Sequence, residues 1–215
     1  TLRSGALKAM IPLQFPATPG GDFAGVVARV GEEVSYFKVE DEVYGTAISL
    51  RGGSGAYAQF AAANTANSAL KPKTASFEEA AGLPLVGVSA VQALEEHIKL
   101  EPGEKILIHG GAGGIGHVAI QLAKSIGAYM ATTVSAEDKD FVKGLGADEV
   151  IDYKNQKFEE LLKNFDAVFD TVGGETTNKS FQVLKKGGVL VSMVGQPNEE
   201  LCIKFGVTGI GQNTQ

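Results

Sequence analysis

One cysteine, Cys202, and no tryptophan stand in 215 residues. A lone cysteine excludes an internal disulfide and any cysteine-rich zinc site. It fits a reducing compartment, taken here as cytoplasmic. Positive charge is also short: 19 Lys and Arg against 25 Asp and Glu leave a net charge of −6, with no long basic run. Such a surface repels phosphate backbones and anionic lipid heads, so neither nucleic acid nor membrane is an expected partner. No apolar run approaches the roughly 20 residues of a membrane span. Thr1-Leu2-Arg3-Ser4 leads into Gly5 and Ala6 without the apolar core of a signal peptide. Methionine does not stand at position 1, which leaves room for a longer precursor. No period of about 20–50 residues repeats, against a solenoid.

What is present is glycine, 28 residues of it, with 44% hydrophobic and 20% charged residues, the composition of a globular α/β protein with many tight turns. The length suits one large domain or two small ones. The character of the chain changes part-way along. Residues 23–30, 42–46 and 56–62 are short runs rich in β-branched or aromatic side chains between glycine and acidic turns, and they read as strands. From Ser89 onward, strands alternate with helices of about 10 to 14 residues, the pattern of parallel βαβ units. The expected domains are therefore residues 1–84, β-rich, and residues 85–215, α/β.

In the second part, residues 105–109 form a compact apolar strand. Ile115, Val118, Ala119, Leu122, Ala123 and Ile126 then recur at helical spacing. Residues 129–134 read as the next strand, 137–145 as a helix closed by Gly146, and 149–153 as a third strand. Residues 167–170 and 189–194 supply two more, with Lys186-Gly187-Gly188 as the turn between helix and strand. At least five parallel strands are expected.

Between the first of these strands and its helix lies Gly111-Ala112-Gly113-Gly114-Ile115-Gly116. A bare GxGxxG is weak, but one that follows a buried strand and opens an amphipathic helix is the dinucleotide-binding arrangement. Gly111 takes the tight turn, Gly113 leaves room for a pyrophosphate against the backbone, and Gly116 lets helix and strand pack closely. Free N–H groups at the helix start then face the diphosphate. The plainer alternative is a glycine-rich turn without a ligand. A second cluster, Gly52-Gly53-Ser54-Gly55, precedes an alternating strand-like stretch rather than a helix and reads as a loop.

An NAD site usually ends its second strand in Asp or Glu, which holds the ribose 2′-hydroxyl. Here that strand ends Thr132-Thr133-Val134-Ser135. Small hydroxyl side chains leave space for a 2′-phosphate, Lys139 one helical turn later can neutralise it, and Tyr153 ends the next strand nearby. The pattern favours NADPH over NADH. Ser135 with Asp138 also spells a capping box, Lys139 can be a solvated helix charge, and Glu137 or Asp138 can turn to a 2′-hydroxyl.

Residues 106–116, Ile-Leu-Ile-His-Gly-Gly-Ala-Gly-Gly-Ile-Gly, resemble the signature of the zinc-independent medium-chain dehydrogenases/reductases, in their quinone oxidoreductase and enone reductase branch. Further landmarks follow in order along the chain: Pro19-Gly20-Gly21-Asp22-Phe23-Ala24-Gly25-Val26-Val27, Gly55-Ala56-Tyr57-Ala58-Gln59-Phe60, Leu83-Pro84-Leu85, Gly146-Ala147-Asp148 and Asp170-Thr171-Val172-Gly173-Gly174. The resemblance implies a GroES-like catalytic domain, incomplete at its N-terminus, followed by a Rossmann domain with a doubly wound parallel sheet. The active site would lie in the cleft between them, and further chain is implied before Thr1 and after Gln215. It also implies that Ser89 reaches toward the cofactor near the nicotinamide, and that Ser135, Lys139 and Tyr153 hold the 2′-phosphate. Val172-Gly173 and Val194-Gly195 would pass the adenosine and nicotinamide ends.

Zinc alcohol dehydrogenases of that superfamily need a Cys/His ligand set. Where they carry a His-Glu pair this chain has Gly21-Asp22, and His97, His109 and His117 lack ligand spacing, so no metal site is expected and His109 and His117 read as packing or loop residues. Cys202 reads as a small apolar side chain. The reaction implied is hydride transfer from NADPH to a quinone, or to the β-carbon of an α,β-unsaturated carbonyl, with solvent protonating the enolate. No catalytic acid or base is named. The family's pocket tyrosines fall near residues 1–7, where this chain has Thr1 and Leu7. Alternatives are an enoyl-thioester reductase and a non-catalytic NADPH-binding protein. The family also implies a homodimer through the Rossmann edge strand, near residues 202–210.

Overall fold

The computed structural model describes residues 16–49 and 53–214, and the readings placed on residues 1–7 and on Gly52 fall outside them. The chain divides into two compact units that meet between Leu85 and Val86.

In the first unit, β1 (Asp22–Val26), β2 (Glu42–Thr46) and β3 (Ser68–Leu70) form an antiparallel sheet in the order β1-β2-β3. Its small core gathers Phe37, Val43, Ala47 and Ala80. Lys71, almost fully buried, bridges to Glu42 at 3.2 Å and fixes the end of β3 to β2. Helix α1 (Phe77–Ala81) opens on a capping box in which Ser76 and Glu79 bond each other's backbone N–H groups.

Two expectations fail here. The strand ends at Val26: Val27 still exchanges backbone bonds with Asp41 and Glu40, while residues 28–30 are not strand. Residues 56–62 are not a strand. Their backbone makes scattered bonds instead of a ladder: Ala56 N–H to the Gly20 carbonyl, Tyr57 N–H to the Pro19 carbonyl, and Ala62 with Ser54. The alternation that suggests a half-buried strand instead leaves Tyr57 79% and Phe60 76% exposed, with no ladder partner among the described residues.

The second unit opens with α2 (Pro84–Val91), which continues as π-type turns over Gln92–Ile98. Then β4 (Lys105–His109), α3 (Gly114–Ile126), β5 (Tyr129–Val134), α4 (Lys139–Gly144), β6 (Glu149–Asp152), α5 (Phe158–Leu161), β7 (Phe165–Asp170), α6 (Glu175–Ser180), β8 (Leu184–Ser192), α7 (Glu199–Phe205) and β9 (Thr208–Gly211) alternate. All six strands are parallel, in the order β6-β5-β4-β7-β8-β9. Renumbered within the unit this is 3-2-1-4-5-6, the doubly wound dinucleotide-binding order, whose direction reverses between β4 and β7.

Both faces of the sheet are covered, which explains the uninterrupted apolar runs. Ile106, Ile108, Met130, Val134, Ala167 and Phe169 point into one core, shared with Ala119, Ile120 and Ala123 of α3. Leu107, Ala131, Val168 and Leu190 alternate to the other, with Phe158, Leu162 and Phe181. One expected turn is absorbed into a strand. Gly187 sits inside β8 at a φ of 82°, and β8 shifts register against β7 between Phe165 and Ala167. The positive φ that suggested a turn makes an irregularity in the ladder instead.

Candidate functional site

The loop from β4 to α3 lies beside the point where strand order reverses, at the carboxyl ends of the strands. Gly110 turns at a φ of 74°, and its N–H and that of Gly111 both bond the Thr133 carbonyl at 3.2 Å. The three glycines of the motif carry different constraints. A Cβ on Gly111 would stand 2.1 Å from Thr132 Oγ1, and one on Gly116 would stand 2.1 Å from the Gly110 carbonyl oxygen, so packing within the protein demands both. A Cβ on Gly113 would meet only the Gly110 carbonyl, at 3.2 Å. Gly113 is the N-cap of α3 at φ −77°, ψ 172°, has no side chain to cap the helix, and is followed by no acid in the first turn. The first-turn N–H groups of a 13-residue helix are thus left to an outside acceptor. Internal packing demands two glycines of the motif, Gly111 and Gly116, and constrains Gly113 much less.

A buried polar frame holds this loop. His109, the last residue of β4, is fully buried, with Nδ1 3.0 Å from Thr133 Oγ1 and Nε2 2.9 Å from Ser180 Oγ, and its ring stands edge-on to Phe158. Burial drives its imidazole down to about 4, against the upward pull of the Asp170 and Glu159 carboxylates. The His109 carbonyl accepts from the Thr171 hydroxyl at 2.8 Å, which ties the loop after β7 to β4. Asp170, also fully buried, accepts the N–H groups of Val172 at 2.9 Å and Gly173 at 3.0 Å and the hydroxyl of Thr177. Sequence reading left Asp170 as a landmark without a job. A carboxylate ending a strand directly before Thr-Val-Gly-Gly is the signal that finds it.

At the end of β5, Thr132 and Thr133 prove to be interior. Thr132 Oγ1 donates to the Ile108 carbonyl at 2.7 Å, and Thr133 is taken up by His109. Neither is open to a ligand, so Ser135 alone of the expected hydroxyls lies past the strand. The capping box expected there does not form: Ser135 Oγ donates to Asp138 Oδ2 at 2.7 Å, and no side chain caps the following turn. Lys139 makes no ion pair among the described residues. Its charge, with that of Lys154, adds to the Asn155 side-chain bond that holds the Asp152 carboxyl below its usual range. Tyr153 follows β6, is largely exposed, and gives its backbone N–H to the Val134 carbonyl at 3.1 Å. Ser135 and Tyr153 therefore stand side by side, one residue beyond the last rung, Val134 opposite Asp152.

The remaining expected residues divide. Val172 and Val194, 52% and 58% exposed, are apolar side chains two residues past the ends of β7 and β8; Gly173 takes a φ of 85° and packs under Val194, and Gly195 a φ of 132°. Ser89 does not open a helix but lies inside α2, fully buried, its hydroxyl 2.6 Å from Thr214 Oγ1 and its carbonyl accepting from Gln212 Nε2 at 3.0 Å.

Residues 2–73 match the alcohol dehydrogenase GroES-like domain family, and residues 114–212 match the zinc-binding dehydrogenase family. A quinone oxidoreductase from Pseudomonas syringae pv. tomato DC3000 superposes with a TM-score of 0.85 at 32% identity, covering 99% of this chain and 69% of that one. The chain belongs to the medium-chain dehydrogenase/reductase family, in its quinone oxidoreductase branch. A Solanum lycopersicum 2-methylene-furan-3-one reductase is 43% identical over 84% of this chain and 47% of its own length. An Arabidopsis thaliana chloroplastic NADPH-dependent alkenal/one oxidoreductase is 40% identical over 90% of this chain and 50% of its own. The chain thus spans about half the length of these curated relatives.

In this quinone oxidoreductase homologue, no group of three or more His, Cys, Asp or Glu side chains among the described residues is arranged to hold a metal ion. His117 bonds the Gly113 carbonyl through Nδ1 at 3.0 Å, and half-buried Cys202 packs against the second core, its thiol pushed up by burial. Asp22 accepts the Leu85 N–H at 3.3 Å, and burial raises its carboxyl above the usual range. The first unit contains a hollow of about 1060 Å³, lined by Phe23, Val26, Phe37 and Phe60 and, among the described residues, by two ionisable groups, Asp22 and Arg29. No helix among the described residues is long and apolar enough to cross a membrane.

Proposed function

We propose that this chain carries the NADPH-binding domain, with part of the catalytic domain, of a reductase for quinones or α,β-unsaturated carbonyls. The observation that carries the reading is Gly113: at an uncapped helix start, with one contact at 3.2 Å against a Cβ where Gly111 and Gly116 have contacts at 2.1 Å, it is the glycine of the motif that packing constrains least, and its position fits a diphosphate. The proposed domain roles are residues 1–84 catalytic and 85–215 dinucleotide-binding, one residue from the boundary of the two compact units. Bound NADPH supplies the hydride. The protein holds the diphosphate on the N–H groups of residues 114–116, presents Ser135, Lys139 and Tyr153 to the 2′-phosphate, and lays Val172-Gly173 and Val194-Gly195 along the cofactor. Ser89 acts from inside α2, by fixing Thr214 and Gln212 at the end of β9.

Hydride delivered to the β-carbon of an enone leaves an enolate that solvent protonates, so the reading requires no protein base. The relatives support the same class of acceptor: one is named for a methylene-furanone and another for alkenals and alkenones. Two copies are proposed to pair through β9, the last strand of the sheet; a monomer mass by light scattering removes that point. The cytoplasm is the proposed compartment, and because the Arabidopsis relative is chloroplastic, cell fractionation decides it.

The test is titration of the full chain with NADPH and NADH, followed by fluorescence, alongside Lys139→Ala. Loss of one phosphate contact weakens NADPH about tenfold and leaves NADH unchanged. Equal binding of NADPH by both proteins rejects the 2′-phosphate site. Turnover with quinones and enones then tests the acceptor class.

A further inference from the structure

The 2′-phosphate site contains a group that works against it. Ser135 has a single O–H to give, and it is given to Asp138 Oδ2 at 2.7 Å. A 2′-phosphate that takes this proton must displace the carboxylate and then sit beside it, two anions in one partly exposed pocket. A 2′-hydroxyl carries no such conflict: it is itself a donor, and Asp138 is the acceptor at hand. Lys139, next in sequence and without an ion pair among the described residues, pulls the other way. The other charges around it are mixed, since Lys154 as well as Lys139 acts on Asp152. Buried Asp152 faces the same end of the sheet, and Glu137 and Asp140 flank the Asp138-Lys139 pair.

Resting on the NADPH-binding reading above, we infer that Asp138 is a specificity-determining residue: it holds the Ser135 hydroxyl, restrains 2′-phosphate binding, and keeps the site open to the unphosphorylated cofactor. Preference for NADPH is then set by two adjacent side chains of opposite charge. Lys139 attracts the phosphate, while Asp138 competes with it for Ser135. The unaltered chain binds NADH measurably and prefers NADPH only modestly.

Dissociation constants for NADPH, NADH, adenosine 2′,5′-bisphosphate and 5′-AMP test this on the full chain, on Asp138→Asn and on Asp138→Ala. The asparagine removes the charge and keeps an acceptor for Ser135, whereas alanine also frees the hydroxyl. Both substitutions raise the NADPH-to-NADH affinity ratio about fivefold, the size of one partly exposed charge contact, with alanine at least equal to asparagine. The bisphosphate-to-monophosphate ratio rises in parallel, which localises the effect to the adenosine end without reference to turnover. Thermal unfolding confirms that each variant is folded. A ratio unmoved or lowered in both variants, with all four ligands still bound, overturns the role of Asp138 alone. Failure of the unaltered chain to bind any of the four overturns the NADPH-binding reading, and this inference with it.

Discussion

Substituting alanine at Gly113 and, separately, at Gly116 separates a glycine kept for a ligand from one kept for the fold. At Gly116 the new methyl would lie 2.1 Å from the Gly110 carbonyl oxygen, 2.8 Å from its carbon and 2.8 Å from Gly111 Cα. All three are backbone atoms, so no side-chain rotation relieves the clash and the loop must move. Overpacking of this kind costs roughly 1–3 kcal/mol. The gain of alanine over glycine inside a helix returns about 1 kcal/mol. The net loss is about 0–2 kcal/mol, a fall in Tm of at most roughly 7 °C for a unit of this size. At Gly113 the backbone, φ −77° and ψ 172°, accepts any L residue, and the single contact at 3.2 Å is relieved by a few tenths of an ångström. Alanine there makes a poorer cap, a loss under about 1 kcal/mol. Its methyl nevertheless stands where the diphosphate must approach, and loss of a charge-assisted hydrogen bond weakens NADPH about 10–100-fold. Differential scanning calorimetry and NADPH titration on the same samples give both quantities. A Gly113→Ala protein that binds NADPH as tightly as the parent refutes the ligand reading of this loop. A Gly116→Ala protein more stable than the parent refutes the packing argument.

Two further outcomes follow from the frame under the loop. His109 has a folded-state value of about 4 against 6.5 when exposed, so between those limits the unfolded chain takes up a proton that the folded chain refuses. Its contribution to stability is therefore complete above pH 6.5 and is lost on acidification toward pH 4, about 3 kcal/mol in all. Urea unfolding from pH 7 to 4.5 reads this as a falling midpoint, and His109→Gln flattens the slope over pH 5–6.5; an unaltered slope in that variant rejects the assignment. Asp170→Ala leaves two backbone N–H groups and the Thr177 hydroxyl without their acceptor inside the fold, and costs about 3 kcal/mol or more in the same assay. A loss under about 1 kcal/mol would show that the Val172-Gly173 loop does not depend on that carboxylate.

The parts legible in the sequence are those where local pattern and burial agree. Lys105–His109 reads as a strand because both sheet faces are covered and apolar residues run without a break, and the glycines then fix the turn into α3. Residues 56–62 misread because alternation marks a strand only when something packs on one face and pairs along one edge. Here Tyr57 makes only an isolated bond to the Pro19 carbonyl, and Tyr57 and Phe60 stay largely exposed, in no ladder among the described residues. α2 gave no periodic signal because Pro84, Leu85, Val86, Val88, Ala90 and Val91 are apolar nearly all round.

The hydroxyls after β5 fail for a different reason. Composition gives four small side chains, Thr132, Thr133, Val134 and Ser135, but parity and register decide which of them a ligand can touch. Thr132 and Thr133 still pair with Ile108 and His109 on β4, and the last rung on the other side joins Val134 to Asp152. Only residues past the final rung are free of the sheet. The same rule selects Gly110 after β4, Thr171 after β7 and Tyr153 after β6. In a parallel sheet the binding edge is a row of positions fixed by register. A sequence locates that row only as accurately as it locates the ends of strands, which for β6 was an error of one residue, enough to place Tyr153 in the strand rather than beyond it.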